Sequence, residues 1–81
     1  MNYLTTRECA HVLAMKPRQL ENARWSDVSG ATPEYGRKLN RIAYERAAVA
    51  AWIHAQLDSA QELHDLRMQR LEEAFSEDEA A

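Results

Sequence analysis

The residues that interrupt helices most effectively are few in this chain and crowded together. Its two prolines and two glycines, Pro17, Gly30, Pro33 and Gly36, all lie between positions 17 and 36. From 37 to 81 there is neither. Glycine costs a helix interior about 1 kcal/mol and proline about 3. The strongest breaks in regular structure therefore fall in that window, and the longest helical stretches are expected in the sequence after it.

Ahead of the window, Leu4-Thr5-Thr6-Arg7-Glu8-Cys9 carries the marks of a helix start. Thr5 can accept from the Glu8 amide while the Glu8 side chain reaches back to the Thr5 amide, a capping box, and Leu4 with Cys9 can form the accompanying hydrophobic staple. Cys9, Ala10, Val12 and Leu13 predict a buried face, with Arg7, Glu8 and His11 outside. Pro17 disfavours helical geometry at Lys16 and ends this helix near Met15. It also suits the first turn of a second helix, where its missing donor costs nothing. That helix is expected over about 17–24, with Leu20 and Ala23 inward and Arg18, Gln19, Asn22 and Arg24 outward. Two short helices joined by so tight a turn make a helix-turn-helix.

Residues 26–33, SDVSGATP, are turn chemistry. Tyr35, Ile42 and Tyr44 then suit strands, and Leu39-Asn40 can sit at the tip of a short hairpin made basic by Arg37, Lys38 and Arg41. Residues 47–57 are strong helix material, and Val49, Trp52, Ile53 and Leu57 recur as an apolar stripe. Ser59-Ala60-Gln61-Glu62 repeats the capping-box pattern. A break is thus expected near Asp58, followed by a last helix over about 60–75. Ala60, Leu63, Leu71, Ala74 and Phe75 cluster on one side of it, with Leu66 at the edge, in no clean heptad. Residues 76–81 read as an acidic, disordered tail. The expected fold class is mainly α with a small β-hairpin: a domain over 1–57, a helical extension over 58–75 and the tail.

Eighty-one residues bury only about 60% of the surface their unfolded chain exposes, too little for a spacious enzyme pocket. The single cysteine excludes an internal disulfide and a zinc quartet of cysteines. No apolar run approaches the roughly 20 residues of a membrane span, and the N-terminus carries no charged-then-apolar leader. A cytoplasmic protein without membrane partners is expected. The formal net charge of −3 hides an asymmetry. Residues 1–55 carry eight basic against five acidic side chains, and residues 56–81 carry two against eight. Such a split suggests a mildly basic binding domain with an acidic end.

The order of helix-turn-helix, Gly/Pro turn, basic hairpin and tyrosine-led helix resembles the small MerR-like winged helix-turn-helix domains of phage excisionases and AlpA-type regulators. Tyr3-Leu4-Thr5-Thr6 with Ala10 and Leu13, Pro17-Arg18-Gln19-Leu20, Pro33, Tyr35, Tyr44-Glu45-Arg46 and Val49-Ala50-Ala51-Trp52-Ile53 carry the likeness, over about residues 3–56. Lys16 stands where such domains usually have serine or threonine. Ala23 stands where a tryptophan is expected, with Trp25 two places on. The resemblance implies a protein of a mobile element that binds double-stranded DNA. Its second helix would enter the major groove, and its hairpin wing would lie on the adjacent minor groove or backbone. Excisionases of this kind are recombination directionality factors: they bind repeated sites, bend DNA and help an integrase reverse integration, and some also regulate transcription.

Arg18, Gln19, Asn22 and Arg24 are candidates for base contact, because arginine pairs bidentately with guanine and asparagine or glutamine with adenine. Lys16, Tyr35, Arg37, Lys38 and Arg41 are candidates for the backbone, where contact fixes position rather than sequence choice. Two other readings stay open. One is the DNA-recognition domain of a phage terminase small subunit, which is similar in layout. The other is a protein-interaction adaptor acting through the last helix. Cys9 reads as a small core residue, Trp25 and Trp52 as packing residues, and His11, His54 and His64 as isolated. No metal, cofactor or catalytic constellation is expected, while self-association on DNA is.

Overall fold

The computed structural model describes residues 3–26 and 28–80, with side chains up to Ser76. In chain order the elements are β1 (Tyr3–Leu4), α1 (Thr6–Val12), α2 (Pro17–Trp25), β2 (Gly36–Lys38), β3 (Arg41–Glu45), α3 (Arg46–Ala55) and α4 (Gln61–Ala80). The protein is thus mainly helical, with a three-stranded antiparallel sheet ordered β1-β3-β2. No described helix is long and apolar enough to cross a membrane.

The expected start of α1 forms in full. Glu8 N donates to Thr5 Oγ1 at 3.2 Å, and Thr5 N donates to Glu8 Oε1 at 2.9 Å. Leu4 and Cys9 are both completely buried. Leu4 also belongs to a strand that local pattern did not announce: β1 pairs with β3, Leu4 opposite Tyr44. Two residues are too short to display alternation, so only the edge of β3 makes them a strand.

α1 ends at Val12, earlier than expected, through a Schellman motif. Ala14 takes a left-handed φ of 59°. Ala14 N then donates to His11 O at 3.1 Å, and Met15 N to Ala10 O at 2.9 Å. Alanine at the position glycine usually fills conceals this stop in the sequence.

The core gathers Leu4, Cys9, Ala10, Val12, Leu13, Leu20, Tyr44, Val49 and Ile53 from the first 57 residues, and Leu71 and Phe75 from α4. α4 therefore folds back onto the same core instead of standing apart. Two arginines secure it. Arg67, only 9% exposed, donates from Nε to Leu13 O at 2.9 Å, and Arg70 Nη1 donates to His11 O at 2.8 Å. Both cations satisfy carbonyls at the C-terminal end of α1, where the helix dipole favours positive charge. Arg67 also lies over the Trp52 ring, 5.2 Å from its centroid.

Three details differ from the sequence reading. Leu57 is 90% exposed and outside the α3 stripe, because the helix ends at Ala55 and a tight turn, Leu57 N to Ala55 O, moves it out of phase. Ser59 does not cap α4: its hydroxyl accepts from Arg67 Nη1 at 3.3 Å, and the helix starts at Gln61. α4 continues to Ala80 instead of stopping at Phe75, as a stretch rich in Glu and Ala permits. Of the tail expected over 76–81, Ala81 and the side chains of 77–80 lie outside the described residues, as does Asp27 of the turn.

Candidate nucleic-acid interface

α2 begins at Pro17 with Lys16 as its N-cap. Lysine has no acceptor to offer, so only half of a capping box forms: Lys16 N donates to Gln19 Oε1 at 2.8 Å. Leu20 is fully buried and fixes the orientation of the helix, leaving Lys16, Arg18, Gln19 and Asn22 exposed. Trp25 is exposed too, at 68%. This corrects the expectation of a packing residue. At i+3 from Asn22 and i+7 from Arg18 it shares their face of the helix.

Arg24 does not join that face. It sits at i+4 from Leu20, on the inward side, and is half buried. Its Nη1 donates to Tyr44 OH at 3.2 Å and approaches Thr6 Oγ1 at 3.4 Å. Its guanidinium lies 5.7 Å from the centroid of the Tyr35 ring, which itself packs tilted against Tyr44 with centroids 5.9 Å apart. Burial raises the Tyr44 phenol above its usual pKa, against the lowering pull of the Arg24 hydrogen bond and charge. Arg24 thus braces α2 against α1 and the base of the hairpin, and Tyr35 belongs to the brace while remaining 47% exposed.

The hairpin forms as expected around Leu39-Asn40. Both residues have positive φ, 53° and 66°, the pattern of a type I′ turn, which matches the twist of the paired strands. β2 is exposed along its whole length. The register sets Arg37 opposite Ile42 and Lys38 directly opposite Arg41. Like charges facing each other across a strand pair destabilise it, so this end of the hairpin gains from an anion. Leu39 stands beside them at the tip, 90% exposed.

A groove open to solvent runs between the start of α2 and β3, with Arg7, Pro17, Glu21 and Arg41 among its lining. It brings Arg7 into one groove with Arg41 of the hairpin, a neighbour that sequence reasoning left on a solvated helix face. No local signal joins them, because β3 arrives beside α1 only through the sheet. The groove is not uniformly basic, since Glu21 lines it as well.

Elsewhere, Cys9 behaves as a core residue: burial pushes its thiol up to about 12. Trp52 is partly buried and donates from Nε1 to Gly30 O at 2.8 Å, tying the turn to α3. Set against protein-family models, curated proteins and solved structures, the chain matches none.

Proposed function

We propose that this is a winged helix-turn-helix protein that binds double-stranded DNA, an excisionase-like or AlpA-like factor of a mobile element acting in the cytoplasm. In this reading α2 enters the major groove, where Arg18, Asn22 and Gln19 meet base edges. Trp25 covers the sugar-phosphate wall beside them. The hairpin is the wing, and Arg37, Lys38 and Arg41 bind phosphates, with Arg7 and Lys16 adding to the same backbone. There is no chemistry beyond binding. Neighbouring copies on repeated sites would bend the DNA and present it to an integrase or a promoter.

The observation that carries the reading is the Arg24 brace. It ties α2 to the base of the hairpin whose tip carries the like-charged Lys38–Arg41 register, and in this reading both engage one duplex together. A single copy neutralises few phosphates, and several copies on adjacent sites would supply avidity without new contacts. The adaptor reading has less to draw on, because Leu71 and Phe75 of α4 are already buried against the core.

The test is a salt titration of binding to DNA fragments flanking the protein's own gene. Arg37→Ala/Lys38→Ala/Arg41→Ala should weaken binding to every sequence and lower the salt slope by about one per lost contact. Arg18→Ala or Asn22→Ala should instead relax choice at particular bases, by about 1–3 kcal/mol each. Absence of binding at moderate salt, by a protein shown to be folded, sinks the proposal. Identical effects from the two sets of variants would remove the division between helix and wing.

A further inference from the structure

The two histidines that look isolated in sequence meet in space. His54 occupies the last turn of α3, and His64 lies near the start of α4. The reversal over 56–60 brings their rings together with centroids 5.2 Å apart and planes tilted by 46°. His54 Nδ1 and His64 Nε2 are 3.2 Å apart. Two imidazole nitrogens bound to one zinc-like ion at about 2.0–2.1 Å stand about 3 Å apart when they bind at roughly right-angled to tetrahedral angles. The pair already has that spacing.

What lies behind His64 points the same way. Its Nδ1 is buried and has no hydrogen-bond partner, while Asp65 Oδ1 approaches to 3.6 Å. That same carboxylate oxygen accepts from Gln61 Nε2 at 2.8 Å, which steadies it. A carboxylate beside Nδ1 favours the tautomer that carries its proton there, leaving the Nε2 lone pair directed at His54. Metal-binding histidines commonly set their second ring nitrogen against a carboxylate, and Asp65 stands beside Nδ1 at 3.6 Å, close by but not hydrogen-bonded.

We propose that His54 and His64 form a two-imidazole site for a first-row transition-metal dication, such as zinc, nickel or copper, that fastens α3 to α4. Among the described residues no group of three or more metal-ligating side chains occurs, so the protein supplies two ligands and water the rest. Exposure of His54 leaves room for that water. Imidazole ligands suit these ions, whereas magnesium and calcium require oxygen ligands. Asp65 is a positioning residue here: it orients His64 and does not touch the ion. An ion that binds only the folded chain raises its unfolding temperature.

The test uses the full chain without an affinity tag, titrated near neutral pH with nickel or zinc chloride by calorimetry and by thermal unfolding. One equivalent should bind and raise the unfolding temperature, and magnesium chloride should do neither. His54→Gln and His64→Gln should each abolish the effect while keeping the circular-dichroism spectrum of the fold. His11→Gln should leave it intact. Asp65→Asn should weaken binding by about 10–100-fold without removing it. Failure of nickel and zinc to bind in the millimolar range overturns the site. So does an equal response to magnesium, which would mark the acidic helix as the binder, or undiminished binding by the His54→Gln/His64→Gln double variant.

Discussion

Leu39 and Ala14 each hold a left-handed backbone that their side chains resist, by about 1 kcal/mol or more. Ala14 does so to close the Schellman motif between α1 and α2, and Leu39 to turn the hairpin. Ala14→Gly should therefore stabilise the protein by up to about 1 kcal/mol, and Leu39→Asn by a similar amount, read as a higher urea midpoint with unchanged slope. No gain from either would mean that the unfolded chain changes as much as the folded one. Both residues also show what local reading misses. The Leu39-Asn40 tip could be placed from the strand residues around it, whereas the stop at Ala14 is invisible without glycine. Arg24 is a different case. Its i+4 relation to Leu20 was present in the sequence, and its charge alone suggested an outward face. Tyr44 and Thr6, distant in the chain, give that charge a partly buried place.

α4 has two tasks at the level of elements: it completes the core with Leu71 and Phe75, and it caps α1 from outside. The second task rests on Arg67, whose guanidinium is shared by the Leu13 carbonyl, the Ser59 hydroxyl and the Trp52 ring. Arg67→Met keeps much of the packing and loses the charged hydrogen bonds. It should cost about 1.5–3 kcal/mol, measured by denaturant unfolding. Amide exchange should then quicken at the end of α1 as well as in α4. An effect confined to α4 would show that the Leu13 carbonyl finds water instead. Periodicity placed α2, α3, α4 and the hairpin close to where they lie, since each has its own apolar phase or turn chemistry. β1 and the use of Ser59 had no such local cause.

For the whole molecule, the buried Cys9 thiol ties stability to alkaline pH. Its ordinary value of 9.0 rises to about 12 in the folded protein. The unfolded chain thus loses its proton first, and the contribution of the neutral thiol is complete below pH 9. Stability should fall as pH climbs from about 9 toward 12, by about 1.4 kcal/mol per unit from this group. The raised Tyr44 phenol adds to the fall above its ordinary 10.0. Urea midpoints across that range measure it, and Cys9→Ala should remove the part that begins at 9. The same burial makes the thiol slow toward alkylating agents until the chain unfolds. The amino-acid order alone determined where α1 and α2 start, the buried face of α1 and which hairpin carries the positive charge. These follow from short-range capping, phase and turn preferences, which act within a few residues. Only the tertiary structure decided that Arg24 turns inward as a brace, that Trp25 faces outward, that α4 caps α1, and that His54 meets His64. Each of those depends on groups from different elements arriving at one place, and packing of the shared core alone sets that arrival.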